Sequence, residues 1–500
     1  MNGRWAIGML AGCSAVLALG GCAVAPAYHP PKASAPNRYT SGKPPHKTVA
    51  PTSGPGGNAQ MLQFGPQPAR DWWKTFGSDD LDALVHTAFV NSPTLARAQA
   101  TLRQYQYLAR AGAAGYYPSV GAQGSVTRQR SAQQGIFPPQ LYNVFAGSLT
   151  VSYSPSVFGR TSLTYENAKA QEAQQRYNLQ AAYLTLAGNI TSTAITAAGY
   201  AAQVDATRSI VQDQQQVLQL TEHRYQAGAV PYTDVLTQRS QLASTRAQLA
   251  RLEQQMSQAR HSLATLVGKP PASFQGSVPD LSRLTLPGTI PVTLPSRLAR
   301  SRPDIRAAQA GVRAAHAQYG LAYTDRFPSF TISGSYGQSA PRAGDFLKAP
   351  YNIWNAVLGA SVKLFDAGRL KNQSEAARAA FQASEDLWRE TLLTAFQQVA
   401  DGLRALDSDA TVLQQRHAQL ISARQALSIT RDQYRQGSAS FLDLLTTEVN
   451  YSNARVAWIQ ALTQRYLDTT ALYVALGGRA WPNTAASHGS GDQSTDSRSS

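Results

Sequence analysis

Two stretches of the chain place a carboxylate at the same point of the same local pattern: RYQAGAVPYTDVL from Arg224 and QYRQGSASFLDLL from Gln433. In each, a tyrosine (Tyr225, Tyr434) is followed three residues later by a glycine (Gly228, Gly437), and six residues beyond that by an aspartate (Asp234, Asp443). A tyrosine, a glycine and one isolated aspartate do not make a hydrolytic or redox centre; their chemistry is that of a turn and a charge. The glycine supplies the left-handed conformation that stops a helix. The aspartate falls in the first turn of the next helix, where a carboxylate complements the dipole and accepts from free N–H groups. Nothing else competes as a reaction centre. The eight histidines offer no pair at ligand spacing on one helix, and neither HExxH nor GxSxG occurs. Gly268-Lys269 lacks the upstream glycine of a phosphate loop and runs into Pro270, and the glycines at 54 and 56 match a dinucleotide fingerprint with no strand before them or helix after. No catalytic residue, metal site or cofactor is expected, and any energy source must lie in a partner.

The elements that would carry these turns are very long helices. No proline occurs between Pro155 and Pro231 or between Pro350 and Pro482. Ile190, Ala197, Val204, Val211, Leu218 and Tyr225 recur every seven residues, as do Val399, Leu406, Leu413, Leu420, Leu427 and Tyr434. The return segments keep the beat with Val235, Leu242, Leu249, Met256 and Leu263, and with Leu444, Tyr451 and Trp458. A strict seven-residue repeat predicts supercoiled packing between neighbouring helices. The quoted turns then sit at the ends of two coiled-coil hairpins.

The chain repeats itself at an offset of 209 or 210. Asn91-Ser92-Pro93 answers to Ser301-Arg302-Pro303, YYPSV (Tyr116 to Val120) to RFPSF (Arg326 to Phe330), Gly159-Arg160 to Gly368-Arg369, and Asp234 to Asp443. Within each copy, a first helical segment leads to two alternating stretches, expected as strands near 117–131 and 142–157, and near 328–338 and 352–366. Leu149, Val151 and Tyr153 alternate with Ser148, Thr150 and Ser152; Phe330, Ile332 and Tyr336 oppose Thr331, Ser333 and Ser335; Leu358, Ala360, Val362 and Leu364 share one face. Period-two patterning with small polar partners predicts strands that are apolar on one side and wet on the other. The domain reading is a first repeat over 71–268, a linker over 269–300, a second repeat over 301–478 and a disordered tail over 479–500.

Residues 1–21 read as an export signal, too short in its apolar run to span a membrane. Its ending, Leu19-Gly20-Gly21-Cys22, resembles the bacterial lipobox, which makes Cys22 the acylated first residue and a covalent lipid the only expected attachment. With Cys13 removed, the mature chain has no disulfide pair. Residues 22–70, rich in Pro, Gly and Ser, read as an extended tether. The charged fraction is only 15% of the 500 residues, yet the formal charge is +16. The basic residues are scattered without a Lys/Arg block, so nucleic acid is not expected as a partner; contact with acidic outer-membrane lipid is one account of the charge.

Taken with DWWKTFGSDDLDALVHTAFVNSPTLARAQA, LPSRLARSRPDIRAAQA, DRFPSFTISGSYG, KLFDAGRL and the paired tip motifs, the chain resembles the TolC family of outer-membrane efflux channels in its NodT-type lipoprotein branch, from about Asp71 to Gly478. The resemblance implies an α+β membrane channel. Four strands per chain cannot close a barrel, but three chains give a 12-strand transmembrane β-barrel that continues into a periplasmic α-helical coiled-coil barrel; the number three comes from the family. It also implies a homotrimer that serves as exit duct of a tripartite system, with a periplasmic adaptor protein and an inner-membrane efflux pump, usually of the resistance-nodulation-division type. Protein secretion through the same duct, and a pore-less periplasmic scaffold, are the alternatives. In the family the hairpin ends form the periplasmic mouth. Asp443 falls on the inner acidic ring, Asp234 on its counterpart in the other hairpin, and Tyr434 on a linking tyrosine, with Tyr225 its equivalent in the first copy. Two positions depart: Ala439 stands where relatives carry a linking arginine, and Thr446 where they carry a second ring aspartate. A gate latched by packing around Phe441 and Leu442 is the expectation here. Asp443 stays open between gate element and helix cap; for Asp234 the cap is the expectation.

Overall fold

The structure, a computed structural model, describes residues 24–479 except 33–34, 43–45, 53, 55, 131 and 133–138. The expected signal segment, the acylated Cys22 and the tail from residue 480 lie outside the described residues. Two units emerge, one made of the residues up to Lys32, Leu102–Gln175 and Ala308–Trp388, the other of Ala33–Thr101, Arg176–Ala307 and the chain from Arg389.

The first unit is built on an antiparallel sheet of β2 (Ser119–Arg130), β3 (Leu141–Tyr153), β5 (Ser329–Ala340) and β6 (Asn352–Ser361), in the spatial order β2-β3-β5-β6. Register puts side chains of one kind in rows across it: Ala122, Leu149, Tyr336 and Trp354 form one row, and Tyr153, Ile332 and Leu358 another. The opposite face carries rows such as Gly121, Thr150, Ser335 and Asn355. The apolar rows are uncovered on the chain: Trp354 is 77% and Leu358 76% exposed. β2 and β6 are the two edges, each paired on one side only. β3 and β6 stop before the expected ends at 157 and 366, leaving Val362 and Leu364 beyond the strand. Alternation in sequence continues past the last ladder bond because Asp366 turns the chain, its carboxylate accepting from the N–H groups of Gly368 (3.1 Å) and Leu370 (3.0 Å) ahead of the next helix.

The second unit holds α1 (Asp79–Asn91), α4 (Tyr232–Leu266), the short α5 (Pro295–Ser301) and α8 (Phe441–Leu476). Into it run α2 (Pro93–Ala113), α3 (Arg160–Gln226), α6 (Pro303–Thr324) and α7 (Arg369–Gln436), each divided between the units. α3 and α7 are 67 and 68 residues long. No described helix is long and apolar enough to cross a membrane. On α7 the seven-residue line is buried at Val399, Leu406, Leu413, Leu427 and Tyr434. On α3 it holds through Ile190, Ala197 and Val204, and then the buried seam continues at Ile210, Gln214, Val217 and Thr221 instead of Val211 and Leu218. The spacing of four and three persists, one residue out of the expected line. Polar residues take half of that seam: Thr221 Oγ1 donates back to the Val217 carbonyl at 2.9 Å, and Gln238 Nε2 reaches the Gln214 carbonyl at 3.4 Å.

Two expectations about connectors need correction. In the tether, β1 (Met61–Phe64) pairs in parallel with β4 (Thr289–Val292), which lies inside the expected linker along with α5. Leu62, Ile290 and Val292 are buried. Gln60 and Thr48 are buried as well, held by a bond from the Gln60 N–H to Thr48 Oγ1 at 2.9 Å. The part of the tether from residue 46 is thus fixed to the helices. Composition misled because Arg465, far along the chain, supplies the missing donors: its guanidinium, fully buried, donates to the carbonyls of Gly56 (2.6 Å) and Asn58 (2.9 Å). Nearby, the SRPDIR motif has a comparable task. Arg302 pairs with Asp304 at 2.9 Å and donates to the Ala475 carbonyl in the last turn of α8, also at 2.9 Å.

Candidate functional site

The two turns singled out in the sequence are built by the same device. α3 ends with Gly228 at φ 74°, and α7 with Gly437 at φ 80°. The N–H of Gly228 meets the Tyr225 carbonyl at 2.9 Å and that of Ala229 meets Arg224 at 2.8 Å. Gly437 and Ser438 repeat this against Tyr434 (3.1 Å) and Gln433 (2.9 Å). These paired bonds satisfy the last helical carbonyls and require the left-handed residue that glycine supplies without strain.

Past the turns the two copies part. At the start of α8, Ser440 and Asp443 form a reciprocal capping box. Ser440 Oγ accepts from the Asp443 N–H (3.1 Å), while Asp443 Oδ2 accepts from the Ser440 N–H (3.1 Å) and hydroxyl (2.6 Å). The side-chain and backbone bonds from Ser440 hold the Asp443 carboxyl below the usual range. At the start of α4 the N-cap is Pro231, which brings no side-chain cap. Asp234 makes no side-chain hydrogen bond among the described residues, and burial pushes its carboxyl up. The expected cap therefore belongs to Asp443, and the cap assigned to Asp234 is corrected: a proline at the N-cap cannot supply the hydroxyl that completes a box.

Packing at the ends is centred on Tyr434, 1% exposed, which clusters with Val217, Leu427, Phe441 and Leu444, with Leu220 and Ala439 at the margin. The Tyr434 and Phe441 rings lie 6.3 Å apart. Phe441 is buried in this cluster, but Leu442 is 69% exposed on the chain. One residue along a helix is a rotation of about 100°, so Phe441, Leu444 and Leu445 share the inner face and Leu442 does not. Tyr225, the counterpart of Tyr434, is 44% exposed and packs on Tyr232 at 5.1 Å.

Arg224 was not among the residues the sequence singled out. Its guanidinium lies 4.5 Å from the centre of the Tyr434 ring, and Nη1 donates to the Tyr434 carbonyl at 2.7 Å. It is the first residue of the first tip motif, and the equivalent place in the second copy is Gln433. The two motifs exchange a cation for a neutral residue on both sides of the tyrosine, Arg224 for Gln433 and Gln226 for Arg435, and that difference was the available signal.

Behind the tip, Glu448 is 4% exposed between Arg431, 3.8 Å away, and Gln238, 3.5 Å away. Burial pushes its carboxyl up to about 7, against the opposing pull of Arg431 and Gln238. A carboxyl whose folded-state pKa is raised stabilises the fold most while protonated. The contribution is complete below the ordinary glutamate value of 4.5 and is lost as pH rises to about 7. Glu448→Gln should then flatten the decline in melting temperature between pH 5 and 8. At pH 8 the variant should be the more stable protein by about 1–3 kcal/mol. An unchanged pH profile would show that Glu448 is ionised and solvated throughout.

A membrane-type sheet, with apolar rows on one face, and two long hairpins of heptad helices together define the class of outer-membrane efflux channels. The sequence pattern described as "Outer membrane efflux protein" matches residues 84–269 and 294–478, and the chain belongs to that family. It is 30% identical over 416 residues to the pyoverdine export outer membrane protein OpmQ of Pseudomonas aeruginosa, covering 82% of this chain and 87% of that protein. To nodulation protein T of Rhizobium leguminosarum bv. viciae it is 26% identical, over 94% of this chain and 93% of the relative. Among solved structures, the outer-membrane channel OprN superposes with a TM-score of 0.82 at 26% identity, covering 91% of this chain and 99% of that one. VceC of Vibrio cholerae shares the fold, with a TM-score of 0.75 at 24% identity over 82% of this chain and 99% of its own. The chain is an outer-membrane efflux component.

Proposed function

We propose that three copies of the chain close their strands into one 12-strand barrel and serve as the passive exit duct of a tripartite efflux system. The observation that carries this is the four-stranded sheet with uncovered apolar rows and two unpaired edges. In a membrane an open edge has no water to satisfy its N–H and C=O groups, so such a sheet must be closed by further strands. Apolar residues then face lipid while Thr150, Ser335 and Asn355 face a wet lumen. The helical hairpins would form the periplasmic tube, meeting an adaptor protein fed by an inner-membrane pump. The pyoverdine-export relative favours a small-molecule cargo over a protein one. A lipid on Cys22 would anchor each copy in the outer membrane. The internal two-fold repeat fits the order of elements, since two helices, two strands and two helices occur twice. Intact-mass measurement of the detergent-extracted assembly should give three chains, each heavier than the cleaved polypeptide by its acyl groups; a monomer or dimer would overturn the closed barrel.

In this reading Asp443 from three copies rings the periplasmic mouth, and Asp234 lies beside it. Capping does not exhaust Asp443: its carboxyl stays ionised and exposed. Asp443→Ala should lower the preference for cations over anions in planar-bilayer recordings, leaving the step size nearly unchanged. Equal selectivity in the two proteins would confine Asp443 to its role as cap.

A further inference from the structure

The two ends of the four-stranded sheet carry charge differently. Helices lead into or out of the strands at Ser119, Tyr153, Ser329 and Ser361, and there arginines have carboxylates beside them: Arg160 pairs with Asp325, and Arg369 with Asp366 at 3.9 Å. The far end, at Arg130, Leu141, Ala340 and Asn352, is unbalanced. On β2 the apolar face runs through Val120, Ala122 and Val126 and then meets Arg128 and Arg130 on the same face. Arg342 follows β5 by two residues, and Lys348 lies ahead of β6. Asp345 is the one carboxylate among the described residues of this end, and Lys348 donates to it at 2.5 Å. Arg128, Arg130 and Arg342 are exposed and take part in no ion pair among the described residues. Beside them the sheet holds a hollow of about 400 Å³, lined by Gly124, Val126, Phe145, Ala343 and Phe346. Glycines make the room: Gly124 and Gly147 face each other in register, and the Phe346 ring leans so close over Gly147 that a side chain there would collide with it. Val126 lies one step of the strand face, about 7 Å, before Arg128, and Ala343 adjoins Arg342. Leu347, next to Phe346, is 84% exposed.

We propose that this end binds a phosphorylated lipid of the outer leaflet, its phosphates on Arg128, Arg130 and Arg342 and an acyl chain in the hollow. The proposal rests on the exit-duct reading, which puts the helices in the periplasm and so the far end of the sheet at the outer surface. Guanidinium groups fork onto phosphate oxygens with two parallel bonds, which an ammonium cannot do. An arginine on the lipid side of a barrel is tolerated only near the headgroups, and Arg128 and Arg130 stand where the apolar run of β2 stops. The hollow lies on the membrane side of the cations, the order in which a lipid presents its chain and its headgroup. A soluble anion would leave the hollow empty, and a neutral lipid would leave three guanidinium groups without a counter-charge. A molecule with both parts uses the whole site. Part of the +16 charge thereby gains a place and a purpose.

The test is native mass spectrometry of the full-length protein in detergent, titrated with lipid A or with lipid A stripped of its phosphates. Arg128→Gln, Arg130→Gln and Arg342→Gln together should weaken lipid A binding by about a hundredfold, at roughly fivefold for each basic residue facing anionic lipid. Lysine at the same three positions keeps the charge without the fork and should lose clearly less. Gly124→Leu fills the hollow: a Cβ at 124 meets only the Ala146 carbonyl, at 3.9 Å, so the leucine enters without displacing the strand. It should weaken both forms of the lipid, whereas the stripped lipid should not distinguish wild type from the glutamine variant. A glutamine variant that holds lipid A as wild type does would overturn the site. So would displacement of lipid A from wild type by excess inorganic phosphate at constant ionic strength, which would leave a plain anion site. The same spectra count chains. Lipid A held by a single chain would overturn the closed barrel and leave the lipid site standing; three chains that hold none would do the reverse.

Discussion

Arg465→Leu is expected to destabilise the helical unit by about 3–5 kcal/mol, the usual cost of removing one member of a buried charged network. Arg465 is fully buried on α8 and donates to the carbonyls of Gly56 and Asn58, with a longer bond to Thr48 Oγ1 at 3.4 Å. Leucine would leave those acceptors unpaired in a dry site. It would also remove the positive charge beside Asp409, whose carboxyl is already pushed up by burial and by the hydrogen bond and charge of Asp468. Two consequences should appear together: a large fall in melting temperature, and new proteolytic cleavage within residues 46–64, where the strap loses its donor. Arg465→Lys should recover only part of the loss, because an ammonium cannot fork to two carbonyls in the way a guanidinium does. A variant that melts like wild type and keeps the strap protected would show that β1 pairing alone holds the segment.

Trp72→Ala should cost a comparable amount, about 3–5 kcal/mol, as for other large aromatics removed from a packed interior. The indole is 1% exposed and stacks on Tyr473 of α8 with ring centres 5.3 Å apart and planes 9° from parallel. Trp73 lies edge-on to it at 6.1 Å and is itself fixed by a bond from Nε1 to Asp82 at 2.8 Å. Phe76, fully buried, continues the cluster to Tyr466, whose hydroxyl donates to the Leu284 carbonyl at 2.7 Å. Truncating Trp72 opens a void that these bonded neighbours cannot move to fill. Thermal unfolding of the detergent-solubilised protein reads the effect, and Trp72→Phe should lose clearly less. A loss below about 1 kcal/mol for the alanine variant would mean that the cluster collapses onto the gap.

What could be read from the sequence was whatever depends on local spacing. Alternation in AGSLTVSY and FTISGSY located the strands, because the side-chain period of a strand is two wherever the strand lies. Glycine at 228 and 437 located the turns, because only a left-handed residue closes that pair of bonds. The seam on α7 followed its leucines. On α3 it did not, since the polar Gln214 and Thr221 are buried in the seam, Thr221 by bonding back to the Val217 carbonyl, which a count of apolar residues cannot register. The tip was misjudged in a similar way. Leu442 was grouped with Phe441 by adjacency, although a helix turns them apart. Asp234 and Asp443 occupy identical places in matched motifs, and the deciding difference lies three residues upstream, where Ser440 can cap and Pro231 cannot. The docking of residues 46–64 was not legible because its donors come from Arg465, some four hundred residues away. Arg224 was missed for want of a partner in sequence: its contact is the ring and carbonyl of Tyr434, 210 residues on.

In the exit-duct reading, copies of this chain enclose a continuous aqueous path through the outer membrane. Single-channel recording of the purified wild-type protein in planar bilayers tests it most directly. The wild-type protein should give discrete, cation-preferring conductance steps of low amplitude. A protein that inserts into the bilayer yet passes no current would contradict such a path.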